Sequence, residues 1–143
     1  MDNNDMVKMD VLIKKLYDTI PEWETAAQTE EDEVLRMEND EDCQENENCD
    51  LEEKNESRKD FVSASVDIVE TARLLKNLWS EKKLDKFSDE LQNLWGYLCK
   101  ANEYCDFDVV PLHCGVIDPT FHLFAEIKEL SNKMLAENEN ARQ

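Results

Sequence analysis

Apolar residues recur every three or four positions in four parts of the chain, the spacing of one face of an α-helix. The first part, residues 5–20, should end at Pro21, because proline cannot continue a helix from within. Three large aliphatic residues of its apolar face are Leu12, Leu16 and Ile20. Trp23 follows just outside, and its indole either packs back on the helix or contacts a partner.

The second part, residues 60–80, is apolar over more than half of the helix circumference, and Trp79 lies near its end. Such a wide apolar face indicates a central helix that is covered from two sides. Asp60 is the expected N-cap, since its carboxylate can accept a backbone N–H of the first turn. Polar residues at 80–83 predict a turn into the next helix.

The third part, residues 84–104, has the most regular pattern, a coiled-coil-like heptad seam. Leucines of this seam include Leu91, Leu94 and Leu98. Trp95 lies beside the seam, and Gly96 interrupts the helix. Gly96 either allows another backbone to approach closely or is a tolerated surface glycine.

Asp118 followed by Pro119 predicts the start of a fourth helix over residues 119–137. The connection before it contains Val109 and Val110, which either pack on the end of the bundle or add a strand to a partner's sheet. The four patterns together predict an all-α fold, a small bundle of three to four helices with shallow crossing angles.

Residues 24–60 interrupt the pattern with sixteen acidic and only four basic residues. Large apolar residues are sparse there, so the segment is predicted to be disordered. The expected organisation is therefore an N-terminal amphipathic helix over 1–23, a long disordered acidic linker over 24–60 and a helical bundle domain over 61–143.

The formal net charge of the 143-residue chain is −19. This charge disfavours direct binding to nucleic acids and to anionic membranes, and it attracts basic proteins. The chain shows no signal-peptide pattern, and its five cysteines follow no regular disulfide framework. We therefore expect an intracellular protein of the nucleus or cytoplasm. Because the folded part is small, the sequence does not favour a monomer over a homo- or hetero-oligomer.

Five residues have the chemistry of zinc ligands: Cys99, Cys105, His113, Cys114 and His122. Their spacing matches no paired zinc motif, so packing of the thiols is favoured and neither a metal nor another cofactor is predicted. Cys114 and its neighbour His113 are not expected to act as a nucleophile and its base. With only two glycines the chain has no phosphate-binding loop, and we predict no enzymatic activity.

The leading hypothesis is a non-enzymatic adaptor or regulatory subunit that docks a helical or basic partner protein through its amphipathic helices. The expected contact residues are Leu12, Leu16, Ile20, Trp23, Trp79, Leu91, Leu94, Trp95 and Leu98. The alternative for these same residues is the core of a monomeric bundle. The alternative function is an acidic chaperone or charge mimic that binds basic proteins such as histones through residues 24–60.

Overall fold

The computed structural model describes residues 3–38, 51–106 and 114–142, and these are helical apart from short turns. The helices are α1 (Asn3–Asp18), α2 (Ile20–Glu38), α3 (Leu51–Ser80), α4 (Leu84–Asp106) and α5 (Cys114–Arg142). Because α1 and α2 meet at Thr19, they form one bent unit, and the described chain packs as a bundle of four helical units. The prediction of an all-α bundle is confirmed.

The bend between α1 and α2 lies at Thr19. Its hydroxyl donates a hydrogen bond of 2.6 Å to the Leu16 carbonyl, and its own carbonyl accepts one of 3.1 Å from the Trp23 amide. Pro21 therefore falls in the first turn of α2, where an amide hydrogen has no helical acceptor. The first helix ends near the predicted place, but the chain begins a new helix at once.

Helix α3 is the centre of the bundle, as its wide apolar face predicts. It packs most extensively against α4 and α2 and also contacts α1, while α5 packs against α4 and α1. Phe61, Ile68 and Leu75 on α3 have no exposed surface. These contacts bury the apolar faces of all five helices in one core.

The predicted turn between α3 and α4 is confirmed at residues 81–83. Lys83 donates its amide hydrogen to the Leu78 carbonyl at 3.0 Å, and Lys82 donates to the Trp79 carbonyl at 3.1 Å. This pair of bonds is the Schellman arrangement that closes a helix C-terminus. Lys82 has a φ of 60°, so it occupies the left-handed position that glycine usually fills.

Two helices begin earlier than predicted. Helix α3 begins at Leu51, so Asp60 is an exposed residue within it and does not cap it. Helix α5 begins at Cys114, which places Asp118 and Pro119 inside its second turn. Proline removes one backbone hydrogen bond there, but its fixed φ is compatible with the helix.

The prediction of disorder over 24–60 has to be shortened. Residues 24–38 belong to α2 and residues 51–60 to α3, whereas 39–50 lie outside the described residues. Helix α2 buries five of its described residues at spacings of three and four: Ile20, Trp23, Ala26, Glu30 and Val34. The stripe was missed because Glu30 occupies one of its positions. Arg58 of α3 pairs with the Glu30 carboxylate at 3.3 Å, which allows the charge to be buried.

Candidate interaction surface

The structure places eight of the nine predicted contact residues in the core of the chain itself. None of these eight is more than 4% exposed: Leu12, Leu16, Ile20, Trp23, Trp79, Leu91, Leu94 and Leu98. They hold the helices of the bundle together, so they do not form a surface that a partner can reach in the folded chain. Only Trp95, at 45% exposed, lies on the surface.

The two buried tryptophans also satisfy their polar atoms inside the chain. The indole nitrogen of Trp23 on α2 donates a hydrogen bond to the Thr120 hydroxyl of α5 at 3.1 Å. The indole nitrogen of Trp79 on α3 donates to the Asp10 carboxylate of α1. Because both rings are packed and hydrogen-bonded, they join the first two helices to the rest of the bundle.

The side chain of Trp95 is partly covered by aromatic residues of its own chain. Its ring stacks on Phe124 with a centroid distance of 5.4 Å, and it meets Phe121 edge-on at 5.6 Å. The neighbouring Gly96 is exposed, and a Cβ added to it would meet nothing within 4 Å. Gly96 is therefore a surface glycine of this chain, and no described backbone segment depends on its small size.

A different apolar surface lies between α2 and α3. Two adjoining cavities of about 330 and 390 Å³ share Glu31 and Val62 in their walls. We call them together the α2–α3 groove. Its apolar lining consists of Trp23, Ala27, Val34, Leu35, Val62, Val66 and Val69. Leu35 and Val66 are the open part of this lining, with 52% and 46% of their surfaces exposed.

The groove follows from the excess width of the apolar face of α3. Val62, Val66 and Val69 recur at spacings of four and three, beside the stripe that carries Phe61 and Ile68 into the core. Val69 is only 9% exposed in the packed bundle, whereas Val66 remains 46% exposed. The sequence pattern shows that α3 is wide, yet it does not show which valines remain uncovered.

Charge around the groove is mostly acidic. Glu24, Glu31 and Glu70 line the first cavity together with Arg73, and Lys59 lines the second. Arg73 pairs with Glu24 at 3.6 Å, so its charge is partly compensated. Among the described residues, Glu31 and Glu70 take part in no ion pair.

Two ion pairs on α2 differ in what they contribute. The Glu30–Arg58 pair joins α2 to α3, and both side chains are less than 10% exposed. The Glu33–Arg36 pair lies within α2 on the solvent side, with a separation of 2.6 Å. Hydrogen bonding to Arg36 lowers the pKa of Glu33 below its usual range. Of these two pairs, only Glu30–Arg58 links the two walls of the groove, which the exposed Glu24–Arg73 pair also links.

The five residues with the chemistry of zinc ligands are only partly described. Cys99 is a free thiol, half buried on α4, and His122 is exposed on α5. Cys105, Cys114 and His113 have side chains outside the described part, as do Val109 and Val110. Within the described residues no group of three or more His, Cys, Asp or Glu side chains is arranged to hold a metal ion.

In the part of the chain that the structure describes, no helix is both long and apolar enough to cross a bilayer. Comparison with known protein families, with characterised proteins and with solved structures finds no match to this chain.

Proposed function

We propose that the protein is a non-enzymatic interaction subunit, an adaptor or regulatory component of an intracellular assembly, and that its partner docks on the α2–α3 groove. The observation that carries the proposal is the exposed apolar lining of the groove, with Val66 and Leu35 half open to solvent. Contiguous apolar surface of this kind marks interaction sites more often than scattered single residues do.

The proposal moves the contact surface away from the residues that the heptad pattern indicated. Leu94 has no exposed surface, so Leu94→Asp would unfold the bundle and would say little about binding. Val66 is a better probe, because a polar residue can replace it without placing a charge in the core. Trp95 remains a candidate for a second contact.

The test is co-purification of partners from cell extract with the intact chain and with two point variants. Val66→Asp places a charge in the groove, and Val7→Asp makes the same change at an exposed valine of α1 that is 62% exposed. A docked partner should be lost with Val66→Asp, be retained with Val7→Asp and resist a high-salt wash. Equal retention by both variants would contradict docking in the groove.

The second candidate function, an acidic chaperone or charge mimic, is favoured by the charge of α2. This helix carries seven acidic residues and one arginine. Binding through such a surface should weaken strongly as salt rises, because exposed charges more than about 10 Å apart are screened at 0.1 M salt. It should also be insensitive to Val66→Asp, which adds a negative charge. The same experiment therefore separates the two functions.

A further inference from the structure

We infer that the occupant of the α2–α3 groove is an amphipathic helix whose apolar face is flanked by lysine or arginine. The inference rests on the proposed docking function and names the chemistry of the partner. It follows from three properties of the groove: its length, its charge and the rigidity of its walls.

The apolar part of the first cavity suits about two turns of helix. Its valines run from Val62 to Val69, seven residues apart on α3, which corresponds to roughly 10 Å along the helix axis. The second cavity adjoins the first at Val62 and extends the groove toward Lys59. Apolar residues at i, i+4 and i+7 of a partner helix recur over the same distance.

The described part of the molecule offers no alternative backbone partner. It consists of helices and short turns, so it has no sheet edge to which an extended peptide could add a strand. A docked peptide must therefore satisfy its own backbone hydrogen bonds, and a helix does so internally.

The charge of the groove selects a basic partner. The lining carries three carboxylates against two cations, of which Arg73 is paired with Glu24 and Lys59 lies in the second cavity. Glu31 lines both cavities and Glu70 lines the first, and neither is neutralised by an ion pair within the described residues. A second copy of this chain carries the same net charge of −19, so the two copies repel each other. Repulsion therefore disfavours self-association through the groove, while lysine or arginine beside an apolar face would complement Glu31 and Glu70.

The walls of the groove are fixed before a partner arrives. The buried Glu30–Arg58 pair joins α2 to α3, and the rings of Trp23 on α2 and Phe61 on α3 pack at a centroid distance of 6.3 Å. A preformed groove spares the partner the cost of ordering the receptor. Binding should therefore leave the helix content of the protein unchanged.

The inference is tested with three fluorescein-labelled peptides of about five helical turns, roughly 18 residues. The first has leucines on one helical face and lysines elsewhere, the second has glutamates in place of the lysines, and the third is a scrambled form of the first. Fluorescence anisotropy with the full chain measures binding near 0.1 M salt. We expect the leucine–lysine peptide to bind more tightly than the other two.

Variants of the protein locate the binding site. Val66→Asp should weaken binding of the leucine–lysine peptide by about tenfold or more, because the bound helix would bury a carboxylate against leucine. Val66→Ser, which adds no charge, should weaken it less and serves as the second variant if circular dichroism shows that Val66→Asp has lost helix. Val7→Asp should leave the affinity unchanged.

The contribution of charge is tested by a pair of matched double variants. Glu31→Gln with Glu70→Gln removes two carboxylates at the groove, and Glu126→Gln with Glu129→Gln removes two exposed carboxylates of α5. Only the first double variant should weaken binding several-fold beyond the loss that the change in net charge produces.

Three results would overturn the inference: equal binding of the scrambled peptide, equal binding of the leucine–glutamate peptide, or an affinity indifferent to both Val66 variants. If no peptide binds but Val66→Asp still releases a partner from extract, the docking function stands and the helical, basic partner is wrong. If the peptide binds at Val66 but extract yields no partner, the groove chemistry stands and the adaptor function fails.

Discussion

Replacing Arg58 by methionine should destabilise the bundle strongly, because it removes the cation from the buried ion pair between α3 and α2. Arg58 Nε lies 3.3 Å from Glu30 Oε2, and the two side chains are 9% and 3% exposed. Methionine fills much of the arginine volume, but the Glu30 carboxylate loses this cation in a place that water does not reach. Removing one member of a buried pair costs about 3–5 kcal/mol, out of a typical stability of about 5–15 kcal/mol.

The assay is urea unfolding, followed by circular dichroism for helix and by tryptophan fluorescence for packing around Trp23. A matched control is Arg36→Met, which breaks the Glu33–Arg36 pair within α2. That pair is shorter, at 2.6 Å, but its side chains are 62% and 33% exposed. It should contribute no more than about 1 kcal/mol, since solvent screens exposed pairs.

Comparing the two arginine variants shows whether burial or the separation of the charges decides how much an ion pair stabilises the fold. If the shorter separation decided the strength, Arg36→Met would be the more destabilising change, whereas burial predicts the reverse order. The double variant Glu30→Leu with Arg58→Met should recover most of the lost stability, because neither charge then needs a partner. Equal, small effects of both arginine substitutions would refute the reasoning and would mean that the acidic part of α2 is not held against α3.

Three further substitutions can be followed by the same urea titration. Gly96→Ala should raise stability by about 0.5–1 kcal/mol, because the site is open and alanine favours helix; a loss would mean that something approaches Gly96. Lys82→Gly should be more stable than Lys82→Ala by about 1 kcal/mol, because only glycine relieves the left-handed backbone, while both variants lose the ammonium over the Trp79 ring. Thr120→Val should cost about 1–3 kcal/mol by leaving the Trp23 indole N–H unpaired, and Thr120→Ser should cost less.

The regular parts of the fold could be predicted from apolar spacing alone. The heptad seam of α4 predicts a helix over 84–104, and the structure has Leu84–Asp106. The agreement has a simple cause: Leu91, Leu94 and Leu98 need one continuous helical face to reach the core together. The turn at 80–83 could also be predicted from sequence, because the wide apolar pattern of α3 stops there.

Helix starts were predicted less well, because a cap is a local preference and packing can override it. Asp60 and Asp118 are both good N-cap residues. Residues shortly before them are nevertheless buried, since Arg58 is 7% exposed and Ile117 is 0% exposed. Burying these side chains on the bundle requires helix through the expected cap. A cap signal in sequence carries no information about such tertiary contacts, which come from residues far away in the chain.

The predicted contact residues show a different limit of the sequence pattern. An amphipathic stripe indicates that a helix buries one face. It does not show whether that face lies in the core or at an interface, because both use leucine and tryptophan. The sequence places Trp79 in the apolar pattern of α3 and Trp95 beside the seam of α4, and these residues are 4% and 45% exposed. What the sequence did contain was the excess width of α3, and Val66 is part of that excess.

Because α2 is an ordered helix of the bundle, deletion of residues 24–60 cannot separate the two candidate functions. If residues 24–60 were only a solvated acidic linker, deleting them would remove charge and leave the bundle intact. The same deletion in this structure removes most of α2, including Ala26, Val34 and the buried Glu30, and one wall of the groove. Loss of binding would then follow under either function. Charge and apolar contact reside on one helix here, so only substitutions that alter them separately, such as Val66→Ser and the paired glutamine variants, can assign the binding to one or the other.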